Sequence, residues 1–550
     1  MKTVVSLLAL GSLAGSVALA QSASAPLLPP FGPPVTPGRV LQTADMTNPN
    51  PLIPIDIYRN GSVAHQDLAT FAWLEFLSAV APNAAGSRGV PGGSFASSGT
   101  SSAGPLVWET YQHRTELLPC NVSSSGATPT PPQPWGAAPK YVTTALNSSP
   151  QVCSTITLPS GGALPYNNLD EATQIGQNSL FFPAVPGNPQ PATDPQVLFE
   201  AKANQYESNY VAQNYQSLIP KFAPFHFSPG ITLPTGTVEV KAAWRPLSSI
   251  PSDQRYRYHV ANVLVYTGSD SAPVATVVPY ALLALHIIHK TPNYPAFIFA
   301  TFEQVDDFQN QATGKPTGVY YVPSYGSVAY QLPKTTTFPP SGTTVTNPNI
   351  NFSTTAPKAT PYGAKPVGLP LGPVTSIPGA KTVNGAVVVP VTSPVPPVPE
   401  VTKVNSQALA AMKGIPGFGK GFVWQYYKLT GVQAIPTNDE TTRDFYLANI
   451  VVESSQPGIQ LFRGFPPITG GTLNNLRNQT NVIDYHNSPG SLTSSGGCQG
   501  CHGVAQTQNG FDFSFLFFGA AGGGFSPETV GLTSPDVAAV RLSNKKYFKK

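Results

Sequence analysis

The sequence predicts a mainly β protein with a few helices (α+β), organised as one large or two closely packed domains with a long Pro-rich insertion. Three observations carry this expectation. With 61 Pro and 49 Gly among 550 residues the chain does not suit a helical bundle, since Pro breaks a helix interior and Gly weakens it. From 237 to 303 apolar residues alternate or run continuously between turn signals, the pattern of half-buried and fully buried strands. A tract of Pro, Thr, Gly and Val from 333 to 401 interrupts the chain and can bury little apolar surface.

Taken in order, residues 1–20 read as a secretory signal peptide. Lys2 is followed by an apolar run from Val4 to Leu13 and by Ala18-Leu19-Ala20 before Gln21, with cleavage expected after Ala20. That core is shorter than the roughly 20 residues a membrane span needs, and no other stretch is long enough. The expected mature chain is therefore exported, periplasmic or secreted, and has no transmembrane span. Residues 21–54 form a Pro-rich lead-in, expected to be extended and poorly ordered. Residues 55–332 form a β-rich body with an N-terminal helix.

In that body Leu68, Phe71, Ala72, Phe76 and Leu77, with Trp73 beside them, recur at helical spacing and predict an amphipathic helix from Ala64 to Val80. Val107 to Tyr111 reads as a short strand or strand-turn, and Gln196 to Gln216 as a second, more polar helix. Thr237 to Trp244 alternates with period two, as do parts of Arg255 to Thr267. Ala281 to Lys290 and Ala296 to Glu303 are more apolar, and Thr291-Pro292-Asn293 between them predicts a buried hairpin. Beyond the 333–401 insertion or linker, residues 402–550 should hold a short helix near Gln407 to Met412 and strands at Phe422 to Leu429 and Phe445 to Glu453.

The chemistry-bearing stretch lies in this last part. Cys498-Gln499-Gly500-Cys501-His502 is a Cys-x-x-Cys-His run, which reads as a c-type haem attachment site. Two thiols at that spacing can add to the two vinyl groups of one haem. The imidazole that follows is then held against the iron. Cys498 and Cys501 are the expected anchors of one covalent haem c, and His502 is the expected proximal iron ligand. A zinc knuckle would need four Cys/His ligands, and Cys120 and Cys153 are far away in sequence. A thioredoxin-like dithiol would need a strand before the motif, where this chain has a Gly/Ser/Asn-rich loop.

The second axial ligand is not fixed by spacing. No Met follows Met412 and no His follows His502, so a ligand must come from upstream or the position must be open. His286 or His289 is a possible distal ligand. If their run is a strand, the two rings point to opposite faces and only one can reach the iron. His486, Met46 and Met412 are weaker alternatives. With the haem thiols set aside, Cys120 and Cys153 remain. In an oxidising compartment they are expected to form a disulfide, worth about 3–4 kcal/mol in the chain-entropy account.

Charge is near balance, with 30 Lys+Arg against 26 Asp+Glu, which argues against nucleic acid as a partner. Lys545-Lys546-Tyr547-Phe548-Lys549-Lys550 is a solvated tail or a docking point for an acidic redox partner. Glu303, Asp306 and Asp307 read as a solvated strand end, and no Ser-His-Asp, phosphate-loop or nucleotide signature is present. Two functions of different class follow. One is periplasmic electron transfer to a redox partner protein. The other is a haem enzyme of peroxidase, oxidase or oxygenase type with an open iron position.

Several runs together resemble a group of large exported bacterial proteins described only as cytochrome c family proteins. They are Phe71-Ala72-Trp73 with Phe76, Val107-Trp108-Glu109-Thr110-Tyr111, Leu285 to Thr291, Ala300 to Asp306, and Gly497 to Gly503 with Asp512-Phe513-Ser514-Phe515. The resemblance implies haem c and export, and it implies no particular reaction.

Overall fold

The computed structural model describes residues 28–58, 63–99, 104–119, 131–144, 153–170, 180–181, 198–222, 231–250, 252–269, 272–305, 319–322, 335–338, 343–346, 381–383, 386–390, 399–435, 447, 498–499, 502, 512–514 and 516–517. The expected signal peptide, the Phe445 to Glu453 strand except for Leu447, and the basic tail lie outside the described residues, as does most of the expected insertion.

Seven antiparallel strands form one sheet. They are β1 (Gln112–His113), β2 (Leu198–Ala203), β3 (Val238–Pro246), β4 (Val260–Ser269), β5 (Ala272–His289), β6 (Ile298–Gln304) and β7 (Tyr427–Gln433), in the order β1-β2-β3-β5-β6-β7 with β4 also on β5. The 18-residue β5 is the spine. Its first half pairs with β4, and its second half pairs with β3 on one edge and β6 on the other. Ala281 sits opposite both Arg245 and Val260, so β4 and β6 follow one another along the same edge of β5. The predicted β5–β6 hairpin is present.

Because paired residues point the same way, register sorts the sheet into two faces. One carries Ala242, Leu285 and Phe302, and also His289 opposite Val238 and Ile298. The other carries Lys241, His286 and Thr301 in one row, with Glu239, Ile288 and Phe299 in the next.

Helix α1 (His65–Ala79) packs near the first face. The sequence predicts an amphipathic helix, but Asp67, Thr70, Glu75 and Ser78 are buried along with the apolar stripe. It is a central helix, covered on its outer side by α3 (Pro399–Met412). Phe76 stacks on Phe302 at 4.1 Å between ring centres and meets Trp424 edge-on, while Trp73 meets Phe302 edge-on. Trp73 Nε1 donates to Asn405 of α3, whose side chain also bonds both backbone groups of Leu429 in β7. One amide thus ties two helices to the sheet edge.

Two local expectations change. From Leu198 the expected Gln196 to Gln216 helix is a strand followed by a helix, β2 and then α2 (Gln205–Phe222), because Leu198 to Ala203 alternates faces and Asn204 then caps the helix by accepting from the Glu207 amide. Val107 to Tyr111 contains a 3-10 turn at Trp108–Thr110 before β1. The described part of the expected lead-in is neither wholly extended nor loose, since it includes a short helix at Thr43–Thr47. Val35, Met46 and Ile57 are fully buried, and Gly32 and Val35 bridge to Pro54 and Ile57. Helix α3 begins at Pro399, inside the expected 333–401 insertion or linker, at a first helical position where the missing amide costs nothing.

On the α1 side, toward β1, lies a buried polar network. Lys202 Nζ, wholly enclosed, donates to the Glu109 and Tyr166 carbonyls and to Asn167 Oδ1, and lies 3.2 Å from Glu200 Oε2. Trp244 Nε1 donates to the other Glu200 oxygen at 3.0 Å. Burial lowers the Lys202 pKa and raises that of Glu200, and their mutual attraction opposes both shifts.

Candidate functional site

The site is built on the face of the sheet away from α1. His286, near the C-terminal end of β5, has Lys241 of β3 and Thr301 of β6 as its direct cross-strand neighbours. Its Nδ1 is 2.6 Å from Thr301 Oγ1, and its Nε2 is buried with no hydrogen-bond partner. A buried imidazole nitrogen without a partner costs free energy unless something binds it.

The segment carrying His502 docks over this row by three anchors. The Gln499 amide donates to Gln433 Oε1 at 2.9 Å, and its Nε2 donates to the carbonyls of Ala296 (3.1 Å) and Phe297 (2.9 Å). Phe297 has φ 63°, the left-handed bend that closes the β5–β6 turn. Asp512 Oδ2 accepts from the Leu233 amide at 2.8 Å and from Lys290 Nζ at 2.6 Å. Finally, His502 Nδ1 donates to the Phe513 carbonyl at 2.7 Å.

These anchors bring the His502 ring to 6.2 Å from the His286 ring, centre to centre, with planes inclined by 32°. Phe299 lies 4.7 Å from the His502 ring and 6.1 Å from that of His286, walling one side. Two imidazoles held on opposite sides of one metal by bonds of about 2 Å have ring centres roughly 6 Å apart. Each ring has its Nδ1 engaged by a fixed partner, and at His286 this leaves the buried Nε2 as the atom open to a ligand. Burial pushes both rings toward the neutral form, His502 to about 3, and the two rings and Lys241 disfavour further positive charge. The neutral form is the one that binds metal.

The other candidates fall elsewhere. His289 points to the α1 face, where its Nδ1 is 2.5 Å from Glu75 Oε1 and its ring stacks on Phe31 and Phe71. Met46 and Met412 are buried in the hydrophobic core. Cys498 is buried at the start of the docked segment. Cys501, His486 and Cys120 lie outside the described residues, and so does the expected Cys120–Cys153 bond. The backbone of the Cys153–Thr155 strand pairs with Val142–Thr144. Glu303 is not a solvated strand end. It is 1% exposed on the His286 face, near Lys428, while Asp306 and Asp307 are not described.

Sequence reasoning missed Thr301, Lys241, Gln499 and the Phe513 carbonyl as supports of the site. Register could have supplied the first two, since the alternation in β3 and β6 puts them on one face with one histidine of β5.

The Glu75–His289 pair makes its own prediction. Burial raises Glu75 well above its ordinary value and lowers His289 to about 3, so the folded pair holds one proton between them. Below the unfolded Glu value of about 4.3 the unfolded pair binds two protons, between about 4.3 and 6.5 one, and above about 6.5 none. The pair's contribution to stability is therefore level in the middle window. It is lost toward acid and again as pH rises above it, by up to about 1.4 kcal/mol per pH unit on each side. Urea midpoints measured against pH check this, and Glu75→Gln should remove the loss on the alkaline side.

Among the described residues no three His, Cys, Asp or Glu side chains converge as a metal-binding group, and no helix is long and apolar enough to cross a membrane. Compared with known protein families, with curated proteins and with solved structures, the chain matches none of them.

Proposed function

We propose that this chain is an exported c-type cytochrome that carries one covalent haem and passes electrons to or from a redox partner protein. Cys498 and Cys501 would anchor the haem, and His502 and His286 would hold its iron. The observation that carries the reading is the His286–His502 pair, whose ring separation of 6.2 Å suits two imidazoles on one iron. The donor set fits the group. Two neutral imidazoles are what an iron needs when a macrocycle already fills its other positions.

The haem, when bound, supplies a one-electron couple. The chain's own residues do the rest. Thr301 and the Phe513 carbonyl fix the two ring orientations. Gln499 holds the attachment segment against the β5–β6 turn. Phe299 keeps apolar surface against both rings, and a buried setting limits the rearrangement that accompanies a change of charge. With two side chains placed to hold the iron, electron transfer would be favoured over a peroxidase, oxidase or oxygenase reaction.

The test is a visible spectrum of protein made in a host that matures c-type cytochromes. One haem per chain should survive denaturation and acid-acetone extraction, and the iron should be low-spin in both oxidation states and inert to CO, cyanide and peroxide. Rapid binding of those ligands by the untreated protein would replace this reading with the haem-enzyme one. Cys498→Ala and Cys501→Ala together should abolish attachment, whereas Cys120→Ala should leave it intact.

A further inference from the structure

Two buried carboxyl groups lie one row from the candidate ligands, and the site as read so far does not use them. Glu239 comes two residues before Lys241 on the same face of β3, beside Ile288 of β5. Glu207 comes from the first turn of α2 and is wholly enclosed, while Glu239 is 6% exposed. Each carboxyl is within hydrogen-bonding reach of the other. Neither oxygen of Glu207 finds a donor, nor does Glu239 Oε1, so the contact becomes a hydrogen bond only when one carboxyl holds a proton.

The surrounding groups are of both signs. Asp512 adds negative charge from the docked segment, Lys290 neutralises part of it through its bond to Asp512, and the Tyr210 phenol of α2 borders the same carboxylates. Lys241 stands one pleat away, opposite His286. Ser514 bonds Glu239, and the carbonyl of its neighbour Phe513 accepts the hydrogen bond from His502 Nδ1. The pair is thus joined to the His502 support through one peptide unit, and to the His286 row through one pleat.

We propose that Glu207 and Glu239 form a redox-linked proton site, which takes up one proton from solvent when the haem accepts one electron from a donor protein and releases it when that electron leaves. The inference rests on the cytochrome reading above. Charge balances: the arriving electron and the arriving proton cancel, so the buried site keeps its net charge through the cycle. The sign follows from Coulomb's law, since removing positive charge from the iron makes the nearby carboxyls hold a proton more tightly. Burial raises both groups; the charge of Glu239 pushes Glu207 up further, whereas the bonds from Ser514 and Glu207 hold Glu239 down to about 8, so the first proton lost by the pair, that of Glu239, is exchangeable near pH 8.

The experiment is a potentiometric titration of the whole haem-loaded protein on both sides of pH 8, with redox-difference infrared spectra of the same samples. The midpoint potential should fall with rising pH, by up to about 59 mV per unit, the one-electron equivalent of a tenfold change. A carboxylic-acid carbonyl band should grow on reduction. Glu207→Gln with Glu239→Gln should flatten the slope and remove the band while the low-spin spectrum stays. A flat wild-type slope, or a slope and band that persist in the double variant, would overturn the proposal and leave the cytochrome reading standing. If the double variant does not fold, the wild-type infrared band decides, and its absence counts against the proposal. A wild-type chain without covalent haem overturns both.

Discussion

Replacing His286 by Ala should convert the protein from a low-spin cytochrome that ignores small ligands into a high-spin one that binds CO and cyanide. The change should be complete rather than graded, because His286 is the side chain whose ring stands 6.2 Å from that of His502. His289→Ala is the control. Its ring lies on the other face beside Glu75, so the spectrum should stay low-spin while stability falls. Optical spectra of the two variants in both oxidation states, with and without CO, make the comparison. An unaltered spectrum for His286→Ala would remove it as a ligand. Thr301→Val keeps the shape beside His286 and removes the hydroxyl 2.6 Å from Nδ1, and should loosen the ligand by about 10–100-fold, read as faster exchange with added CO.

The largest loss of stability is expected at Lys202. Lys202→Met keeps the length of the chain and deletes the charge, which leaves Glu200 without its cation and the Glu109 and Tyr166 carbonyls and Asn167 without a donor. Removing one member of a buried ion pair costs about 3–5 kcal/mol, most of it the uncompensated partner. The urea midpoint should fall accordingly at unchanged slope. Adding Glu200→Gln should restore a good part of the loss, since the stranded negative charge goes with it. A double variant as unstable as the two losses combined would show that the pair is not coupled.

Much of the sheet was legible in the sequence because strands announce themselves by period. Val238 to Trp244 and the two arms around Thr291-Pro292-Asn293 lie where alternation and apolar content put them. Leu198 to Ala203 was misread because Gln196 to Gln216 joins a six-residue strand directly to a helix, and a single window averages the two periods. The burial of α1 all round was hidden for a different reason. Asp67 and Glu75 look like a solvent face until Gly38 and His289 supply partners from distant parts of the chain.

At the candidate site, the motif marked Cys498, Cys501 and His502, and the pleat put His286 and His289 on opposite faces. Choosing between them needed to know which side of the sheet α1 covers, and that is set by packing. The Glu207–Glu239 contact was out of reach for the same reason. One residue is on a helix and the other on a strand, and no local pattern couples them.

Gln499 has a further consequence for how the protein must be made. Its side chain and amide are wholly buried on partners 203, 202 and 66 residues earlier, and Cys498 beside it is 4% exposed. A maturation enzyme needs the thiols in the open, so on the cytochrome reading attachment has to precede the docking of residues 498 and 499. Contacts across so long a stretch of chain form late, after the hairpin they dock onto. The interval between export and that final closure is then the working time of the attachment machinery, and a chain that closes first is locked out of its own cofactor.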